Sequence, residues 1–197
     1  MNKAALAIWL ALPLGAWAYH EGPGQDGLAL DEVDRLVADA VAARNAEDWA
    51  GAVEHFDAAL EQLPPDHTDA ARRIRLERDQ AWMQVSMLPK AHQDLKRLVQ
   101  DLLDDEAADP VLLDRARAAL ANAQYYMTWL MRLEGEPRER WEPEIEAARQ
   151  TYRLLAERAV ARGDSDAEQS AKGDLESAIR LARMELSDLQ GLPLPSP

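Results

Sequence analysis

Apolar residues recur every three or four positions along most of the chain, which is the spacing of one face of an α-helix. The first such stripe consists of Leu30, Val33, Val37, Ala40 and Val41. No run alternates apolar and polar residues as a half-buried strand does, and Ala, Leu, Glu and Arg dominate the composition. The pattern therefore predicts an all-α protein.

Proline, glycine and capping residues divide this pattern into about seven helices. The third helix is predicted to begin near Asp66 or Thr68, and the fourth to seventh near Pro89, Pro110, Pro143 and Ser165. The seventh is expected to bury Leu175, Ala178, Ile179, Ala182, Leu186 and Leu189 on one face. The proline-rich tail, residues 191–197, cannot continue that helix and is predicted to be disordered.

The second helix has a more specific pattern of large and small apolar residues. Its matching positions are Trp49, Ala52, Phe56, Ala59, Leu60 and the closing Pro64, and Leu36 and Ala40 hold the corresponding large and small positions of the helix before it. Small residues let two helices approach closely, while large ones fill the gaps between turns. This pattern resembles the tetratricopeptide (TPR) repeat, a helix–turn–helix unit of about 34 residues.

The resemblance is good over residues 33–66 and looser afterwards. Ala91, Leu95 and Leu98 repeat the second-helix spacing, as do Ala148, Tyr152 and Leu155, but at intervals longer than one repeat. The resemblance implies a short, irregular TPR-like array of helix pairs over residues 29–190, closed by a C-terminal capping helix. The alternative is a generic helical bundle.

The N-terminus has the pattern of a secretory signal. Lys3 precedes an apolar run from Ala4 to Leu12, and Ala16 and Ala18 occupy the small positions that a signal peptidase recognises. We therefore predict that residues 1–18 are a cleaved signal peptide and that the protein is exported to the periplasm or cell envelope. The alternative is an uncleaved N-terminal anchor. Residues 19–28, rich in glycine and proline, are predicted to form a flexible leader.

Composition then narrows the function. The net charge of −14 at pH 7 argues against binding to nucleic acid or to anionic lipid. The absence of cysteine excludes disulfides, thiolate metal sites and a cysteine nucleophile. No serine lies in a nucleophile elbow, and the sequence has no phosphate-binding glycine loop. The histidines are scattered and the acidic run of residues 101–109 lacks the rhythm of a calcium loop, so we predict no metal, no cofactor and no enzymatic activity.

The strongest functional signal is the aromatic segment of residues 123–141. On the fifth helix one face combines Ala118, Asn122, Tyr125, Trp129 and Arg132. In TPR-like arrays the first helix of each pair lines a concave groove, and this helix would be the first of the third pair. We predict that these residues form a partner-binding groove, with Tyr125 and Trp129 as apolar anchors. The alternative is that a neighbouring helix, such as the seventh, covers this face.

Together these features predict a non-enzymatic adaptor that binds a peptide or a partner protein in its groove. Two other classes stay open. The aromatic and methionine positions would also suit a carrier of a small molecule or a metal ion, and a pocket with two converging titratable groups would favour an enzyme.

Overall fold

The structure, a computed structural model, describes residues 23–192, with side chains described from Ala29 onward. The predicted signal peptide, the start of the predicted leader and residues 193–197 of the predicted tail lie outside the described residues. Eight α-helices and no strands are present in the described part, which confirms the predicted all-α fold. The helices are α1 (Pro23–Asn45), α2 (Trp49–Gln62), α3 (Thr68–Gln84), α4 (Leu88–Leu103), α5 (Pro110–Leu133), α6 (Arg138–Arg162), α7 (Ser165–Arg183) and α8 (Leu186–Gln190).

The chain forms two compact units, residues 1–74 and residues 75–197. In the first unit α1 packs against α2. The Asp48 side chain accepts a hydrogen bond from the Gly51 backbone N–H and so caps α2. α1 begins at Pro23, inside the segment predicted as a leader, where proline suits the first turn of a helix.

Burial in the first unit follows the large-and-small pattern found in the sequence. Ala40, Ala52 and Ala59 have no exposed surface, and the larger Phe56 and Leu36 are also buried. Trp49 and Pro64 are half-buried. Alanines at these positions remove the side-chain bulk that would keep two helix backbones apart.

In the second unit α4, α5, α6 and α7 pack in chain order, and α8 returns to α5. A core cluster joins the last four of these helices, and its buried members are Ala121, Trp129, Ile145, Ala148, Tyr152, Ala178, Leu181 and Leu189. Asp109 caps α5 by accepting from the Val111 backbone N–H, as the Asp-Pro sequence predicts.

The start of α6 differs from the prediction. The helix begins at Arg138, so Pro143 lies inside it rather than at its first turn. Proline there removes one helical hydrogen bond. The turn before it is held in place because Trp141 packs against the core cluster and Arg138 pairs with Glu142.

The end of α7 also differs from the prediction. α7 ends at Arg183, the backbone of Met184 is extended, and a separate short helix follows. Arg132 of α5 donates hydrogen bonds to the carbonyl oxygens of Leu181 and Met184, which a helix leaves unpaired at its C-terminus. Leu189 consequently reaches the core from α8, whereas Leu186 stays 40% exposed.

Candidate functional site

The five residues predicted to line a groove divide into two sets. Trp129 and Arg132 are buried, at 6% and 7% exposure, in the packing of α5 against α7 and α8. Arg132 donates hydrogen bonds to the carbonyl oxygens of Leu181 and Met184 at the C-terminal end of α7, and its guanidinium also lies 4.8 Å from the ring centroid of Trp141. The prediction that Trp129 is an exposed anchor and that Arg132 contacts a ligand is therefore corrected. For these two positions the alternative holds: neighbouring helices cover them.

The other three predicted residues lie along an open groove. Ala118 and Tyr125 are half-buried, and Asn122 is exposed. Asn122 and Tyr125 line one cavity of about 220 Å³, and Ala118 lines a second of about 390 Å³. Tyr152 and Asp174 line both cavities, so the two are neighbouring parts of one groove formed by α5, α6 and α7.

We call the smaller cavity the tyrosine pocket. Its lining residues are Asn122, Tyr125, Tyr126, Tyr152, Asp174 and Ser177. The α5 members are spaced i, i+3 and i+4, and the α7 members i and i+3, so each helix presents one face to the pocket. Sequence reasoning identified Asn122 and Tyr125 as site residues but missed the other four as a site.

Hydrogen bonds and ring contacts fix the shape of the tyrosine pocket. The Tyr152 hydroxyl donates to Asn122 Oδ1 over 2.7 Å and so joins α6 to α5. The rings of Tyr125 and Tyr126 meet edge-on, with centroids 5.4 Å apart, and Tyr125 also contacts Trp129 at 6.2 Å. Ser177 Oγ donates to the Gly173 carbonyl within α7. Because Tyr125 rests on the buried Trp129, its ring is held by the core.

Asp174 is the acidic group at the centre of this arrangement. Among the described residues it makes neither an ion pair nor a hydrogen bond, and burial raises the pKa of its carboxyl above the ordinary value. Burial also raises the pKa of Tyr125, Tyr126 and Tyr152, and the charge of Asp174 adds to that shift in all three. Asp174 is thus the acidic group that the three tyrosines surround.

A second polar cluster lies between α3 and α4. Arg78 Nη2 donates to Asp79 Oδ1 at 3.0 Å and to Asp94 Oδ2 at 2.6 Å. Burial, and then the charge of Asp94, raise the pKa of Asp79 to about 8. Burial alone would raise the pKa of Asp94 as well, but the nearby Arg97, Arg75 and Arg78 hold it below the ordinary value.

Two carboxyl groups with opposite pKa shifts are what acid–base catalysis needs. Asp79, however, has no exposed surface, so a substrate has no access to this carboxyl group. Trp82 lies beside the pair with Arg78 and Lys90 over its ring, at 3.9 Å and 3.8 Å from the centroid. The cluster therefore acts as a cross-link between α3 and α4.

Over residues 23–192 no group of three or more His, Asp or Glu side chains is placed to hold a metal ion. His92 instead pairs with Glu144 of α6, with 3.0 Å between Nε2 and Oε2. In the same range no helix is both long enough and apolar enough to cross a membrane.

Comparison of the chain with models of protein families, with curated proteins and with solved structures found no match. The fold and the groove thus define the molecule only as an all-α protein with an aromatic, acidic groove in its second unit.

Proposed function

We propose that this protein is an exported, non-enzymatic adaptor that binds a peptide or a segment of a partner protein in the groove of α5, α6 and α7. Export to the periplasm or cell envelope rests on the signal-like pattern of residues 1–18. The proposal includes the TPR-like character of the first unit, which the burial of Ala40, Ala52, Phe56 and Ala59 supports.

The observation that carries the proposal is the tyrosine pocket. Half-buried tyrosines expose a flat apolar ring together with a polar hydroxyl, and tyrosine is enriched at protein-binding surfaces for this reason. Tyr125 and Tyr126 are both half-buried, and Tyr125 is braced by Trp129 from behind. A rigid aromatic surface of this kind loses little conformational entropy when a partner binds.

The groove also has the form needed for an extended segment. The tyrosine pocket continues into the larger cavity through Tyr152 and Asp174, so one chain segment can contact both. Beyond Ala118 the larger cavity is lined by Leu155 and Ala167, which offer apolar contact, and by Arg115, which offers a charged one. Alternating apolar and polar contacts along a groove are typical of peptide recognition.

A capture experiment with matched variants tests this function. Ser177→Arg places a long side chain at the rim of the tyrosine pocket without disturbing the core, because Ser177 is exposed. Gln169→Arg adds the same charge and bulk to an exposed position of α7 that lines neither cavity of the groove. Tagged residues 19–197 of the unmodified protein and of both variants would be used to capture partners from an envelope extract.

We expect the unmodified protein and Gln169→Arg to capture the same protein, and Ser177→Arg to lose it at an unchanged melting temperature. The proposal fails if all three capture the same set of proteins, or if none captures any.

A further inference from the structure

We infer that the tyrosine pocket receives a lysine or arginine side chain of the partner, with Asp174 as its counter-ion and the tyrosine rings as its walls. This inference rests on the proposed function, because it names the chemistry of the segment that the groove would bind. Four features of the second unit support it.

The first is the missing partner of Asp174. Other carboxylates that are buried or half-buried in this unit are paired with a cation: Asp114 with Arg117, Arg158 and Arg162, and Glu168 with Lys172. Asp174 has none within the described residues. A partly desolvated carboxylate is costly when it is not paired, so a cation from another molecule would find a favourable position there.

The second is the arrangement of aromatic rings. The chain places its own cations over the rings of Trp82 and Trp141. Among the described residues no cation lies over the ring of Tyr125 or of Tyr152. A cation in such a pocket would be attracted both by the π-faces of the rings and by the charge of the carboxylate.

Arg180 of α7 is a cation whose charge acts on Tyr125 of the tyrosine pocket. It is exposed, and its charge acts to lower the pKa of Tyr125, although burial outweighs that effect. Arg180 does not form an ion pair with Asp174, which leaves the centre of the pocket to a ligand.

The third feature is the set of polar atoms. Asp174 offers two carboxylate oxygens. The hydroxyls of Tyr152 and Ser177 already donate to Asn122 and to Gly173, so what they have left to offer a ligand is their lone pairs. These groups accept hydrogen bonds, and the ammonium of lysine and the guanidinium of arginine only donate them.

The fourth is size and charge. A volume of about 220 Å³ suits one long side chain, since pockets for whole small molecules usually occupy about 300–1,000 Å³. The chain's net charge of −14 also attracts a basic partner over long distances.

The test uses defined probes rather than an extract. Isotope-labelled residues 19–197 would be titrated by NMR with the blocked peptide Gly-Ser-Arg-Ser-Gly and with the same peptide carrying citrulline, which keeps the shape of arginine and removes its charge. Asp174→Asn removes the carboxylate, and Glu176→Gln removes the same charge from an exposed position two residues away. Spermine forms a third arm, because a free polyamine offers the same chemistry as a basic side chain.

We expect the arginine peptide to shift the signals of Tyr125, Tyr126 and Asp174 and to bind at least about tenfold more tightly than the citrulline peptide. Asp174→Asn should lose that preference, and Glu176→Gln should keep it. Asp174→Asn is expected to fold, since it removes an uncompensated charge.

Equal binding of the two peptides, equal binding by Asp174→Asn, or shifts confined to another surface would overturn the inference. So would tighter binding of spermine than of the arginine peptide, since the site would then belong to a free polyamine. If Ser177→Arg abolishes partner capture while the arginine peptide fails to bind, the adaptor function stands and only the cation site is wrong. If the peptide binds as expected but no partner is captured, the cation site stands without the adaptor function.

Discussion

Replacement of Asp79 by asparagine tests the buried carboxyl pair of α3 and α4. Asp79 has no exposed surface, and its Oδ2 atom has no hydrogen-bond partner among the described residues. A negative charge on this atom is therefore poorly compensated. Burial, followed by the charge of Asp94, raises the pKa of Asp79 from 3.8 to about 8, so Asp79 is mostly protonated at pH 7.

This pKa shift determines the direction in which the free energy of unfolding changes with pH. In the unfolded chain Asp79 loses its proton near pH 3.8, whereas in the folded protein it keeps the proton up to about pH 8. Between these values the folded state binds one proton more than the unfolded state. The contribution of Asp79 to stability is complete below pH 3.8 and is lost as the pH rises through about 8.

The size of this pH effect follows from the one additional proton that the folded state binds. The free energy of unfolding should fall by about 1.4 kcal/mol for each pH unit, or about 3 kcal/mol between pH 5 and pH 7. Asparagine is neutral at every pH, has nearly the same shape, and keeps an Oδ1 acceptor for Arg78. The free energy of unfolding of Asp79→Asn should therefore lack this dependence on pH. Relative to the unmodified protein, the variant should become more stable by about 3 kcal/mol between pH 5 and pH 7.

Urea unfolding at pH 5, 6 and 7, followed by circular dichroism, measures this difference directly, because the other titrating groups cancel between the two proteins. Asp101→Asn is the matched control, since Asp101 is an exposed partner of Arg75 in the same network. Its difference from the unmodified protein should change little with pH. A difference for Asp79→Asn that stays constant from pH 5 to pH 7 would refute the reasoning.

Four further outcomes are expected. Ala52→Leu overpacks a position with no exposed surface and should cost about 1–3 kcal/mol, while Ala50→Leu at an exposed position should leave the melting temperature nearly unchanged. Trp129→Ala should lower the free energy of unfolding by about 3–5 kcal/mol, as expected for a buried aromatic side chain. A smaller loss would indicate that Trp129 lines the groove instead. Arg132→Ala leaves the last carbonyls of α7 unpaired and should cost about 1–3 kcal/mol in urea unfolding, with no loss if water replaces the guanidinium. N-terminal sequencing of exported protein should begin at Tyr19, and a retained residue 1 would contradict cleavage.

Local signals predicted most helix boundaries, since capping and backbone restriction act over a few residues. Asp109 and Pro110 start α5, and Gly135, a residue type that readily adopts a positive φ, follows its end at a φ of 74°. The errors at α6 and α7 have tertiary causes. α6 starts early because Trp141 packs on the core, and α7 ends early because Arg132 reaches its carbonyls from another helix. Neither contact can be predicted from the local sequence, because each joins residues that are far apart in the chain.

The groove shows the same division between local pattern and tertiary packing. Tyr125 and Trp129 lie one turn apart on the same face of α5, yet Tyr125 is half-buried and Trp129 is covered. Helical periodicity gives the direction of a side chain but not the place where a neighbouring helix crosses. Residues 118–125 therefore form the open part of the predicted face, while Trp129 and Arg132 belong to its packed part.

One local signal for the pocket was nevertheless present in the sequence. Asp174 shares a helix face with Ala171, Ala178 and Leu181, at spacings of i+3, i+7 and i+10 from Ala171, and these three apolar residues are buried. A carboxylate on an apolar face conflicts with the core-forming pattern around it, and conflicts of this kind are expected at functional sites. The neighbours that make Asp174 costly in the free protein are the same tyrosines that would surround a cation, so the conflict and the proposed site have one physical origin.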